Sequence, residues 1–183
     1  MKIIEPKAMH NIYSDVIKGE NVKFYEKKFS QIKGIYENNK GINDETLMYT
    51  VYSYENGEPN QLGNLYWGLT ILEPVYVNGE CNMTRGHFHS NTDCAEFYFG
   101  IEGEGLLLLM NEEGEMWAEK VFKGSLHYID GKIAHRLVNV GDTKCSVGAC
   151  WPSSAGHNYE AIEKHDFPNR VFKINNELIF KER

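Results

Sequence analysis

The sequence predicts an all-β protein, a jelly-roll barrel of antiparallel strands, and three observations carry that prediction. Short apolar and β-branched runs recur at close spacing between residues 47 and 151. Glycine-containing turn pairs separate them, and no long 3.6-residue periodicity lies between them. A composition of 13% aromatic residues with 17 glycines fits strands joined by many turns.

Residues 1–45 are polar and rich in Lys and Asn. Ile12, Val16 and Ile17 suggest one short amphipathic turn, and Gly19, Gly34 and Gly41 interrupt regular structure, so this stretch is expected to be an arm packed on the barrel. Strands are expected over 47–54, 64–72, 80–89, 95–101, 105–110, 116–122, 125–129, 135–139 and 145–151. Turns fall at Asn56-Gly57, Asn78-Gly79, Glu113-Gly114, Lys123-Gly124 and Gly141-Asp142. Residues 170–174 and 177–180 flank Asn175-Asn176 as a terminal hairpin. The chain is thus expected to be one domain over 1–183, with the arm at 1–45, the barrel core at 46–165 and C-terminal strands at 166–183.

A net charge of −7, with no stripe of Lys and Arg interleaved with aromatics, argues against a nucleic-acid partner. No membrane association is expected, and the start Met1-Lys2-Ile3-Ile4-Glu5-Pro6 lacks a secretory apolar core. The four cysteines, Cys81, Cys94, Cys145 and Cys150, form no C-x-x-C pair and are expected as free thiols in the cytoplasm.

The chemistry concentrates in His87-Phe88-His89, Glu96 and His135. On a strand, His87 and His89 point to one face and Phe88 to the other. In the next run Glu96 and Tyr98 share a face, opposite Phe97, Phe99 and Ile101. A bare His-x-His is more often an exposed pair, but three imidazoles and a carboxylate at strand-compatible spacing suit a divalent metal with open positions. Cys94 is a lesser candidate ligand.

The blocks His87-x-His89 with Glu96 and Gly103, then Gly124, Asp130, Gly131, Lys132, His135 and Asn139, resemble the paired motifs of the cupin family, whose small barrels hold a metal on three His and one Glu. Asp130 and Lys132 stand where Pro and Gly are usual; a type I turn accepts either pair. The stretches Thr84-Arg85-Gly86-His87-Phe88-His89, Ala95-Glu96-Phe97-Tyr98 and Ala155-Gly156-His157-Asn158-Tyr159 narrow the resemblance to the cupin-type glucose-6-phosphate isomerases of archaea and some bacteria.

That resemblance implies metal ligands His87, His89, Glu96 and His135, with Fe(II) first and Mn(II), Ni(II), Co(II) or Zn(II) as alternatives. It implies that Thr70, Thr84, Gly86 and Tyr98 bind the substrate phosphate, that Tyr49, His157 and Tyr159 contact the sugar, and that Glu96 and His157 are catalytic. Arg85 and Lys132 are further sources of positive charge. Trp151 replaces an expected tyrosine. The implied reaction is the aldose–ketose isomerisation of glucose 6-phosphate and fructose 6-phosphate in glycolysis and gluconeogenesis, through an enediol or a hydride shift, by a homodimer. A cupin oxygenase and a non-catalytic sugar-binding cupin are the alternatives.

Overall fold

Alternation of inward and outward residues sorts the strands into sheets that close around one core. The computed structural model describes residues 1–183. Its elements are β1 (Ala8–Asn11), β2 (Val16–Gly19), β3 (Val22–Lys28), α1 (Phe29–Ile32), a 3-10 turn (Lys33–Ile35), β4 (Leu47–Tyr54), β5 (Leu65–Leu72), β6 (Tyr76–Val77), β7 (Glu80–Cys81) and β8 (Glu96–Glu102). Then come β9 (Gly105–Met110), β10 (Met116–Val121), β11 (Leu126–Ile129), β12 (Ala134–Asn139), β13 (Cys145–Pro152), α2 (Tyr159–Lys164), β14 (Asn169–Ile174) and β15 (Glu177–Glu182).

The largest sheet has six strands in the order β11-β8-β13-β5-β4-β3, and a three-stranded sheet, β10-β9-β12, belongs to the same barrel. A four-stranded sheet, β15-β14-β7-β6, and the hairpin β1-β2 complete the molecule. This is the all-β jelly-roll barrel of the cupin fold. Leu107, Leu109 and Leu137 of the small sheet, Leu72 and Val147 of the large one, Phe29 and Ile32 of α1 and Val171 of β14 all join one buried cluster. Each such side chain contributes about 1.5–3 kcal/mol on burial.

Two expectations change. Residues 1–45 are more than an arm, because β3 pairs along its length with β4 as the edge strand of the six-stranded sheet. In place of an amphipathic turn at residues 12–17, β1 and β2 form a hairpin that lays Ile17 on Leu69, Ile71 and Ile101 outside the barrel. Of the apolar residues that suggested a helical face, Ile12 lies in the connecting turn and Val16 and Ile17 follow one another on β2.

The expected strand at 80–89 is also broken. Only Glu80–Cys81 is regular strand; beyond it single bridges join Met83 to Val138, His87 to His135 and Phe88 to Asn158. Gly86, at φ +76, turns the backbone in between. Side-chain amides take over where the ladder stops: Asn82 Nδ2 donates to the carbonyls of Met48 (2.6 Å) and Glu73 (2.8 Å), and its Oδ1 accepts from Tyr36 Oη (3.0 Å).

Two ion pairs, each with one fully buried partner, tie the C-terminal segment to the barrel. Glu80 is fully buried and accepts from Arg170 Nη1 and from the Glu37 N–H, both at 2.8 Å. Arg136, on β12, is buried against Phe167 and pairs with Asp166 at 3.0 Å, while Arg183 reaches the same carboxylate at 2.7 Å. No helix is long and apolar enough to cross a membrane.

Candidate metal centre

The backbone brings the candidate ligands together before the side chains do. His87 and His135 exchange two main-chain hydrogen bonds, at 3.2 and 3.0 Å, so a narrow pair sets their rings 4.3 Å apart. His89, two residues on, keeps its ring on the same side, 5.8 Å from that of His87. Glu96 opens β8 with its side chain inward, as the alternation predicts, while Phe97 and Phe99 face out and are exposed. The ligand atoms of His87, His89, Glu96 and His135 all lie within 4.8 Å of one another.

These four residues fit a divalent cation. Glu96 Oε1 lies 2.6 Å from His135 Nε2 and 3.4 Å from His89 Nε2. Yet Glu96 Oε1 and His135 Nε2 are both buried without a hydrogen-bond partner. Buried polar atoms that converge this closely without an aligned hydrogen bond are costly, and a cation between them satisfies both. Behind them, His89 Nδ1 meets the Cys94 carbonyl at 2.5 Å and His135 Nδ1 faces that of Ile133 at 3.3 Å. With a cation bound, donation from each Nδ1 would leave the Nε2 lone pair free to ligate it; without one, His89 keeps a proton toward Glu96. Cys94 thus serves through its carbonyl; its thiol turns to Ser154 Oγ at 3.4 Å, outside the cluster.

Charge follows from these contacts. Burial, reinforced by His135, His157 and His89, holds the His87 imidazole well below its ordinary value, so it is a neutral donor of a lone pair at pH 7. Burial works against ionisation of Glu96, but His135 and His89 outweigh it and bring the carboxyl down to about 2. Burial likewise opposes charge on His89, and its contacts with Glu96 and the Cys94 carbonyl raise it instead.

Beside the cluster opens a cavity of about 170 Å³. Its floor is a row of three small residues in register across three strands, flanked by Tyr98 on a fourth: Ala149 faces Tyr98 on one side and Gly68 on the other, and Gly68 faces Ser53. Next to this row lie Thr70 and Val51, which also face each other. The Trp151 ring occupies the space over Gly68, where a Cβ would come within 2.7 Å of it. The other walls are Tyr49 of β4 and Thr84 and Gly86 of the broken strand. His157 and Tyr159 stand at the exposed mouth, their rings stacked 5.7 Å apart, with His157 4.3 Å from His87.

The structure therefore gathers Tyr49, Thr70, Thr84, Gly86, Tyr98, His157 and Tyr159 around one cavity with His87, Glu96 and His135, while His89 holds the cluster from behind. Lys132 stays outside: its N–H closes the loop on Asp130 Oδ1 at 3.0 Å, and neither residue lines the cavity. Tyr25, Ser53, Glu55, Gly68 and Ala149 line it without having been singled out in the sequence. The parity they share with Tyr49, Thr70 and Trp151 along their strands was the available signal for Ser53, Gly68 and Ala149.

Comparison with known proteins agrees with this geometry. Residues 26–181 match the family described as glucose-6-phosphate isomerase (GPI). The chain is 33% identical to glucose-6-phosphate isomerase of Thermococcus litoralis over 168 residues, covering 89% of this chain and 87% of that one. It is 34% identical to the enzyme of the same name from Pyrococcus abyssi over 157 residues, covering 83% and 82%. Among solved structures, oxalate decarboxylase from Bacillus subtilis is a remote likeness, with a TM-score of 0.46 and 17% identity, covering 60% of this chain and 26% of that one. A match over most of the chain, joined to relatives that share a third of its residues, establishes that the chain belongs to the glucose-6-phosphate isomerase family.

Proposed function

We propose that this isomerase interconverts glucose 6-phosphate and fructose 6-phosphate with a divalent cation, Fe(II) first, held by His87, His89, Glu96 and His135. The observation that carries the reading is the buried quartet whose Glu96 Oε1 and His135 Nε2 have no partner, opening directly onto a cavity ringed by hydroxyl groups. Bound there, such a cation supplies Lewis-acid polarisation of the sugar oxygens.

The chain's own groups divide the remaining work. Thr70, Thr84 and Tyr98 hydroxyls with the backbone at Gly86 offer convergent donors to the phosphate. Burial pushes the Tyr98 phenol well above its ordinary value, so it stays protonated and donates. Tyr49 and Tyr159 orient the sugar. His157 is held below its ordinary value, by burial first, so it is neutral at pH 7 and able to move a proton at the ring oxygen during opening. Glu96, ionised, is ligand first and base at C2 second, since a carboxylate on a cation loses basicity.

The test is a coupled assay on chelator-stripped protein reloaded with Fe(II), Mn(II), Ni(II), Co(II) or Zn(II). Metal-restored turnover of fructose 6-phosphate, absent in His89→Ala together with its bound metal, is expected. A folded, metal-loaded protein with no turnover defeats the reading.

A homodimer is part of the same proposal, supported by the strip Phe97, Phe99, Leu126 and Tyr128 exposed on one face of β8 and β11. Sedimentation at twice the chain mass is expected; a monomer would overturn it. Four unpaired thiols support a reducing, cytoplasmic setting.

A further inference from the structure

We infer that Arg85 binds the phosphate of the substrate by exchanging its ion pair with Glu163 for one with the phosphate oxygens. The inference rests on the sugar-phosphate reading of the cavity. Arg85 is the only Lys or Arg that lines it, and the same walls carry the carboxylates Glu55 and Glu96. A phosphate dianion entering a pocket with two carboxylates, on a chain of net charge −7, needs a compensating cation at its own end.

Arg85 is placed for that role. It stands between Thr84 and Gly86, so its guanidinium springs from the backbone that carries two of the proposed phosphate donors. That backbone is pinned: Thr84 N–H donates to the Leu137 carbonyl at 2.9 Å, and the Arg85 carbonyl accepts from Arg136 Nη2 at 2.6 Å and Nε at 3.2 Å. Only the side chain is free to swing. It lies over the Tyr159 ring at 4.7 Å and pairs with Glu163 of α2, whose side chain is 61% exposed. An exposed pair contributes little and is readily exchanged, whereas a guanidinium on phosphate forms two parallel charge-assisted hydrogen bonds. Arg85 also borders a second cavity of about 680 Å³ beside α1 and α2, so space lies on both sides of its rotation.

Glu163 is then a resting counter-ion that competes with the phosphate, and the two variants should move in opposite directions. The experiment is calorimetric titration of inorganic phosphate into metal-loaded wild type, Arg85→Gln, Glu163→Gln and the double variant, with KM for fructose 6-phosphate measured alongside. Arg85→Gln should weaken phosphate about tenfold or more and raise KM by more than it lowers kcat. Glu163→Gln should tighten phosphate about threefold. The double variant should match Arg85→Gln, because Glu163 acts only through Arg85. Unchanged phosphate affinity in Arg85→Gln, or tightening by Glu163→Gln that persists without Arg85, overturns the inference. Phosphate affinity is read without turnover, so a wild type inactive on fructose 6-phosphate would defeat the isomerase reading while the order of the four affinities still decides this one.

Discussion

His157 sets its ring 4.3 Å from that of His87 yet lies at the exposed mouth, outside the four-residue cluster, where the proposed substrate would enter. A His157→Asn variant is expected to keep its bound metal and lose about a hundredfold in kcat, the usual scale for a proton-moving side chain; unchanged turnover would remove the role. The residues with distinctive chemistry, the three histidines and Glu96, were legible because few other arrangements use them at that spacing. Gly68, Ala149 and Ser53 were not, since a small side chain announces nothing until the register puts three of them in one row. Gly68→Ala would drive a Cβ into the Trp151 ring. Displaced indole fluorescence and weaker substrate binding are expected, and an unaltered emission spectrum would show that the floor has room to spare.

Strand alternation reads correctly wherever a strand is regular. On β8 it assigns Glu96 and Tyr98 to the cavity and Phe97 and Phe99 to the outside, as observed. It fails at 80–89, where His87 and His89 do share a side, yet through a pair of main-chain bonds from His87 to His135 and a left-handed glycine in place of a continuous ladder. Gly86→Ala would place a Cβ 3.0 Å from the Phe167 ring and 3.1 Å from Arg136 at φ +76. A loss of about 1–3 kcal/mol follows from the backbone strain alone. On a chain of this size that is a fall of several degrees in Tm, with weaker metal retention because His87 follows directly. Calorimetry with metal analysis checks both.

Across the whole molecule the buried His–Glu cluster is a source of acid sensitivity in the metal-free protein. Glu96 titrates at about 2 when folded against 4.5 as its ordinary value, so its stabilisation is full above 4.5 and is lost as the pH falls toward 2. His87, held well below 6.5, takes up its proton more readily in the unfolded chain, so it too makes stability fall as the pH drops below 6.5. His89, raised when folded, acts the other way and loses its contribution as the pH rises through its folded value. Two groups against one, with His87 and Glu96 the larger shifts, predict a Tm that declines between pH 6.5 and 4 without metal. Saturating cation should raise Tm at pH 7 and deepen that decline, because protons compete for the same lone pairs. A metal-free Tm independent of pH over this range would contradict the charge assignment.

The sequence by itself determined the all-β class, most strand positions, the family resemblance and which three histidines and one glutamate to look for as a cluster, because these rest on local alternation, turn residues and distinctive side-chain chemistry at fixed spacing. Only the tertiary structure decided the rest. The edge-strand role of β3 depends on which sheet has an open edge. The cavity floor depends on register between strands far apart in the chain. The position of Arg85 between Tyr159 and Glu163 depends on α2 packing beside a backbone turn some 75 residues away. Pairing and packing across such separations are set by which faces the folded chain brings together, and no short stretch of residues encodes that alone.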